Sequence, residues 1–191
     1  MVSRTCPSRP LNTHNHLESL SKANFNTWTA DGLNTLNVRP LGLAFYTLGG
    51  GSSIVVNNNS VTGAWWGLEG YLVKKSEVNP DRFKITGGSF NNNYIGIMSY
   101  NSSNNIYATR MAVSGTTINN SEYIGIVNDA QTGSFKSELA LKDAVQVLHT
   151  SPTSVYASAI SIYGTQAELN ELNDTKISGA HSNFISFLFC P

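Results

Sequence analysis

Short apolar segments alternate with polar, turn-forming ones along the chain, and the alternation repeats itself. Residues 85–100 read ITGGSFNNNYIGIMSY, and residues 113–129 nearly restate them as VSGTTINNSEYIGIVND. Each stretch carries an apolar–small–apolar tripeptide, Ile95–Gly96–Ile97 and Ile124–Gly125–Ile126. Stepping outward gives Leu41–Gly42–Leu43, Trp66–Gly67–Leu68, Ile160–Ser161–Ile162 and Ile185–Ser186–Phe187, at spacings of 25, 29, 29, 36 and 25 residues. A second set of apolar segments accompanies them: Ile54–Val56, Phe83–Ile85, Met111–Val113, Ala144–Val147 and Thr175–Ile177. Between the two sets lie polar turns such as VNNNSVTG, TGGSFNNN, SGTTINNS and SGAHSN.

The apolar segments are short, alternate with period two and are rich in Ile, Val, Phe and Tyr, which is the pattern of strands. Gly, Asn and Ser fill the breaks, as turns need. Periods of about 20–50 residues mean solenoids or arrays. Helical repeats would need long 3.6-period runs, leucine-rich repeats a shorter Leu/Asn consensus, and a propeller blade four strands in about 40 residues. None of these fits. The pattern predicts an all-β chain wound as a parallel β-helix of about six rungs, each with two or three strands, stacked about 4.8 Å apart. Ile95 and Ile97 are then expected to point inward beneath Ile124 and Ile126, with the small residue between them outward. Trp66 takes the place of Ile95 and is expected in the core. Asn57–Asn59, Asn91–Asn93 and Asn119–Asn120 fall in register. Stacked Asn side chains form amide ladders, and Asn tolerates the left-handed backbone of tight corners.

Some segments break the pattern. Asn15–His16–Leu17–Glu18 reads as a capping box opening a short helix. Such a helix would cover the exposed edge of the first rung. It divides the chain into an N-terminal cap, residues 1–33, and the β-helix, residues 34–191. Ser134–Lys142 reads as a protruding loop or helical turn, and Thr165–Glu168 as a second capping box. The closing stretch NFISFLFCP is an apolar strand without a cap. Either a further chain covers it, as in a homo-oligomer, or more polypeptide follows.

This rung grammar, with its apolar–x–Gly step, Asn-Asn turn and Ile-Gly-Ile, resembles the right-handed parallel β-helix superfamily. That superfamily holds pectate lyases, polygalacturonases, phage tailspike depolymerases and some bacterial adhesins. The resemblance spans roughly residues 34–191 and implies a fold, not an activity. It implies an extracellular or virion-tail setting, a polysaccharide partner and, in the tailspike case, a trimer.

Charge narrows the partners. Lys and Arg together number 12, as do Asp and Glu, and no basic stripe is present. That argues against nucleic acid. No run of 18 apolar residues exists to insert into a membrane as a helix, and MVSRTCPSRPLNTHN has no apolar signal-peptide region. Charged residues are only 13% of the chain, so Asn, Ser, Thr and Gly must build the polar surface. Cys6 and Cys190 would sit at opposite ends of a rod, beyond the roughly 7 Å that a disulfide spans. Two free thiols are expected.

Chemistry on this fold is sought on the outer face of a strand column. The position after each tripeptide carries Ala44, Glu69, Met98, Val127, Tyr163 and Leu188; two residues further come Tyr46, Tyr71, Tyr100 and Asp129. Alternation turns both sets outward. Tyr46, Tyr71 and Tyr100 form a candidate sugar platform, whose plainer reading is that the rings stack on one another. Trp65 is expected to point outward near Glu69, unless the segment around Phe25 and Trp28 buries it. Glu69 and Asp129 are the leading acid–base pair. They lie two rungs apart, about 9.6 Å along the axis, at the upper limit of the roughly 6.5–9.5 Å of an inverting glycosidase. Glu122 with Asp129, and Glu77 with Asp81, are the alternatives. A calcium-dependent lyase would need clustered aspartates and a polygalacturonase an Asp-Asp pair; the chain has neither. His14 and His16 are too few for a metal site, and no cofactor is implied. The expected function is polysaccharide binding, with cleavage by Glu69 and Asp129 as its enzymatic form. The alternative is a non-enzymatic structural or adhesive module.

Overall fold

The computed structural model describes residues 11–12, 16–18, 42–46, 53–101, 107–130, 134–148, 158–178 and 183–188. Its strands fall into three parallel sheets. Sheet A holds β1 (Leu11–Asn12), β4 (Ile54–Asn57), β7 (Phe83–Thr86), β10 (Thr109–Ser114), β13 (Ser137–Lys142) and β16 (Ala167–Leu172). Sheet B holds β2 (His16–Glu18), β5 (Ser60–Thr62), β8 (Ser89–Asn91), β11 (Thr117–Asn119), β14 (Val145–Leu148) and β17 (Thr175–Ser178). Sheet C holds β3 (Leu43–Tyr46), β6 (Trp66–Tyr71), β9 (Ile95–Tyr100), β12 (Ile124–Asp129), β15 (Ser158–Tyr163) and β18 (Asn183–Leu188). Every strand pairs with the one three places further along, always in parallel. The chain is therefore a three-sided parallel β-solenoid. Its described part makes about four turns, β4 to β15, and the outermost strands add a pairing partner at each end. The expected six rungs are not reached as complete turns among the described residues.

Two corners are tight because one or two residues take the left-handed conformation there. Between sheets A and B these are Asn58, Gly87 with Gly88, Gly115, Asp143 with Ala144, and Asp174; between B and C they are Gly63, Asn92 and Asn120. Parallel pairing continues round the bends. Asn58 N donates to Thr86 O at 2.9 Å, Gly87 N to Ser114 O at 2.8 Å and Asn92 N to Asn119 O at 3.0 Å. The predicted asparagine register holds between the second and third runs, at the second corner, where Asn120 Nδ2 donates to Asn92 Oδ1 at 2.8 Å; Asn57–Asn59 lies instead at the first corner, with Asn57 opposite Thr86. Its neighbour Asn93 is fully buried, accepting from Ala64 N at 2.8 Å and donating to Val61 O at 3.2 Å. Between sheets C and A, buried polar groups satisfy one another. Asn101 donates to Thr109, Thr109 to Ser137, and Ser137 to Asn128 Oδ1 at 2.7 Å.

The core is one apolar column. Sheet A contributes Ile54, Val56, Phe83, Ile85, Met111, Val113, Leu139 and Leu141, sheet B Val61, Phe90 and Ile118 singly and Val145 with Val147 from β14, and sheet C Leu68, Ile97, Ile126 and Ile160. The sequence pattern concealed β5, β8 and β11 of sheet B inside polar turns, and it grouped Ala144–Val147 and Thr175–Ile177, which are β14 and β17 of sheet B, with the sheet A segments. A three-residue strand with a single inward side chain, such as Ser60–Val61–Thr62, is nearly indistinguishable from a turn by composition.

Several expectations are corrected. The small residue of the tripeptide faces the interior: a Cβ on Gly96 would lie 2.5 Å from both Ile118 Cγ2 and the Gly125 carbonyl oxygen. Gly96 and Ile97 are both inward, so alternation breaks at the glycine and Ile95 is turned outward. Ile95 and Ile124 pack instead with Met98 and Val127 in a second cluster, against Trp66, Tyr94, Tyr100 and Tyr123. Trp66 is thus outside the core. The fifth tripeptide is also misaligned by two residues. Ile126 pairs with Ile160 and Ile124 with Ser158, so Ser158–Ala159–Ile160 continues the column. A two-residue slip leaves the inward–outward alternation intact, which is why the pattern did not reveal it.

Neither capping box opens a helix among the described residues. His16–Glu18 is β2, paired with β5, and Ala167–Leu172 is β16, paired with β13. Ser137–Lys142, expected in a protruding loop, is β13 in full register with β10. Strand pairing outweighs local helix signals in each case. The proposed boundary at residues 33–34, Cys6, Cys190, His14, Phe25 and Trp28 lie outside the described residues.

The glycine column generates a test. Gly96→Val should lower the urea midpoint by an amount equivalent to about 1–3 kcal/mol or more, from overpacking against backbone and Ile118. Gly115→Asn, at φ +59 with nothing nearer than 3.8 Å to a new Cβ, should stay within about 1 kcal/mol of wild type.

Candidate functional site

The outer face of sheet C gathers most of the sequence-predicted site residues. One edge of it is a tyrosine column. Tyr46, Tyr71, Tyr100, Asp129 and Tyr163 pair in register on β3, β6, β9, β12 and β15. The ring centroids of Tyr46 and Tyr71 are 5.2 Å apart and those of Tyr71 and Tyr100 5.4 Å apart, tilted by 52° and 33°. The other edge is a second aromatic column. Trp65 stacks on Tyr94 at 4.2 Å and 13°, and Tyr94 on Tyr123 at 5.3 Å and 16°. Parallel in-register pairing brings like positions to within one rung, and that spacing matches ring stacking. Between the columns runs the aliphatic strip of Ile95, Met98, Ile124 and Val127, buried against the rings on either side.

Tyr94, Tyr123 and Tyr163 are members that the sequence reading passed over. The signal for the first two was present: an aromatic residue precedes each of Trp66–Gly67–Leu68, Ile95–Gly96–Ile97 and Ile124–Gly125–Ile126. Tyr163 was missed because of the two-residue slip. Trp65 is half-buried with its ring on Tyr94, in a different column from Glu69.

Glu69 sits at the edge of this strip, in register with Ala44 and Met98. It is 3% exposed. Tyr46, 46% exposed, donates its hydroxyl to Glu69 Oε2 at 3.2 Å. Burial pushes the Glu69 carboxyl above the usual range, and the Tyr46 hydrogen bond only partly offsets this. The Tyr46 hydroxyl is raised in turn by burial and by the Glu69 charge. Tyr100 is raised by burial and then by the Asp129 charge beside it.

The proposed acid–base pairs are spread out by the lattice. Glu69 and Asp129 are two turns apart along the axis and two residues apart along the strand, so their backbones are about 12 Å apart. Tyr100 occupies the rung between. Glu122 and Asp129 lie at opposite ends of β12, roughly 20 Å apart. Asp81 is engaged by Arg110 Nε and Lys142 Nζ, each at 2.8 Å, while Glu77 is exposed.

In comparisons with known proteins, no family model, curated protein or solved structure matches this chain. The fold is that of a parallel β-solenoid, and the pectate-lyase-like superfamily stays a resemblance in rung pattern.

Burial of Glu69 has a signed consequence. A carboxyl whose folded pKa is raised binds its proton more readily in the native state than in the unfolded chain. Its effect on stability is therefore unfavourable above the folded pKa and fades as pH falls through that value toward the ordinary one. Glu69→Gln should raise the thermal midpoint at pH 7 by a few degrees. It should also flatten the gain in stability that the wild type shows between pH 7 and pH 5. Thermal melts of both proteins across that range check this; an unchanged slope overturns it.

Proposed function

We propose that this chain is a polysaccharide-binding β-solenoid, a right-handed coil of the pectate-lyase-like and tailspike-related kind, which holds an extended glycan along the outer face of sheet C. Parallel crossover connections take the right hand in nearly all known cases. The observation that carries the binding reading is the pair of aromatic columns, Tyr46–Tyr71–Tyr100 and Trp65–Tyr94–Tyr123, running along the axis on one face. A surface whose groups repeat with every turn suits a ligand that also repeats, and aromatic edges with phenolic hydroxyls offer apolar contact and hydrogen bonds together.

Binding does not require cleavage. The backbones of Glu69 and Asp129 are about 12 Å apart, two turns along the axis with Tyr100 on the rung between, and no observation favours cleavage over binding. The proposed activity is recognition, with Glu69 and Asp129 contributing polar contacts at the column edge. A second reading has its own observation. The rings contact one another within their columns at 4.2–5.4 Å, stacked along Trp65–Tyr94–Tyr123 and tilted along Tyr46–Tyr71–Tyr100, so the ladders also serve as cement for a structural or adhesive rod, each pair contributing about 0.5–1.5 kcal/mol.

A glycan array read together with a reducing-end assay separates these. Retention of extended polysaccharides is expected, weakened about tenfold or more by Tyr100→Ala. No release of reducing ends is expected from the wild type, or from Glu69→Gln combined with Asp129→Asn. Release of ends that the double substitution abolishes would establish the hydrolytic form instead. A thermal midpoint lowered by Tyr100→Ala with no glycan retained by the wild type would leave only the structural reading.

A further inference from the structure

The connection between β6 and β7, residues 72–82, does not turn directly from sheet C into sheet A. It runs along the outer side of the coil. Lys74 forms an antiparallel bridge with Thr109 on the next turn. Lys75 N donates to Ala108 O at 2.7 Å and Tyr107 Oη to Leu72 O at 3.2 Å. The Lys74 ammonium lies 5.6 Å from the centre of the Tyr107 ring. Side chains then reach across sheet A. Lys75 Nζ meets Glu138 of β13 at 2.6 Å, and Asp81 meets Arg110 of β10 and Lys142 of β13, both at 2.8 Å.

The contacts close into a ring. Arg110 Nη1 binds Glu138 at 2.8 Å and Nη2 binds Glu171 of β16 at 2.7 Å, while Lys142 Nζ binds Glu171 at 2.9 Å. Arg110, Asp81, Lys142 and Glu171 thus form a cycle that joins the connection to three successive strands. A register shift between Leu139 and Ala140 sets Glu171 opposite Ala140. Ala112 and Ala140, 3% and 0% exposed, form the floor beneath. Among the described residues, the other charged groups on this side are Lys74 and Glu77 of the connection, its buried Arg82, whose carbonyl accepts from Ile54 N at 2.6 Å, Lys84 of β7, and Lys136, which pairs with Glu168 of β16. No histidine is among them, and every ion pair contains a carboxylate.

We propose that residues 75–81 are an acid-released strap: protonation of Asp81, Glu138 and Glu171 frees it from the outer face of sheet A while the coil beneath stays folded. Burial pushes Asp81 and Glu138 up, but hydrogen bonds outweigh it, from Lys142 and Arg110 in the first case and from Lys75 and Arg110 in the second. Hydrogen bonds from Lys142 and Arg110 hold Glu171 down as well. All three carboxyls therefore sit below the ordinary range. The stabilisation they give is complete above that range and is lost as pH falls through their lowered values. The coil loses its own pairs Arg110–Glu138, Arg110–Glu171 and Lys142–Glu171 at the same time, but its apolar core column and the backbone ladder between turns carry no titratable group. The raised carboxyl of Glu69 even favours the coil as pH falls. Release leaves Arg110 and Lys142 beside neutral partners, so the positive charge of this face rises.

Hydrogen exchange followed by NMR on the whole chain from pH 7 to pH 3, corrected for intrinsic rates, tests this. The Lys75 amide and the Arg110 Nε–H, which donates to Asp81, should lose at least tenfold in protection in the acid range. The amides of Asn92 and Gly115, which donate round the corners of the coil, should keep theirs. Asp81→Asn with Glu138→Gln should reproduce the loss at pH 7 and remove its pH dependence. Strap protection that persists at pH 3, or coil amides that lose protection at the same pH as the strap, would overturn the proposal. The wild-type titration decides even where the double variant fails to fold.

Discussion

Everything in this structure depends on parallel hydrogen bonding carried from one turn to the next. Each backbone donor finds its acceptor about 4.8 Å along the axis, and the pairing continues through the corners, as Asn58, Gly87 and Asn92 show. Every side chain then has its counterpart on the next turn as a near neighbour. Only residues that tolerate their own kind at that distance can form a column. Asparagine does so at the second corner, aromatic rings do so on sheet C, and glycine does so where the core leaves no room for a Cβ. Charges do so with opposite charges at hand: Arg110 pairs in register with Glu138, and Glu138 with Glu168, whose carboxylates meet Lys75, Arg110 and Lys136.

The same constraint separates the chemistry by face. Sheet A carries the ions, knitted across turns by Arg110 and Lys142. The central strands of sheet B show solvent Ser, Thr, Asn and Gln, with no charge on β5, β8, β11 or β14. Sheet C carries aromatic and aliphatic groups with Glu69 and Asp129 at the edge. A linear ligand, a strap and a hydroxyl-rich surface can occupy three sides of one rod without competing. Each side is addressed by what its column holds.

A regular column spaces its groups. Backbones on adjacent turns lie about 4.8 Å apart, and only long side chains bridge two turns, as Arg110 does to Glu171 and Lys142 to Asp81. The backbones of Glu69 and Asp129 are held two turns apart by the same pairing that aligns Tyr71 and Tyr100. Such a column lends itself to repeated contacts along its length.

The sequence by itself determined the repeat, the parallel solenoid and the corner residues, because a coil with a fixed period must write that period into its apolar and turn-forming positions. It also determined that Tyr46, Tyr71, Tyr100 and Asp129 share a column, because equal spacing places them in register. Tertiary structure decided what alternation leaves ambiguous. The inward turn of Gly96 and the outward turn of Ile95 follow from a break in strand parity that Phe90 and Ile118 impose from the facing sheet. The place of Tyr163 follows from a two-residue shift that preserves parity and so leaves no trace in the pattern. Strands β5, β8 and β11 of sheet B were hidden because one inward residue per strand is too short a signal to read. The ring of Arg110, Asp81, Lys142 and Glu171 joins residues up to 90 positions apart, and only the stacking of turns brings such residues together.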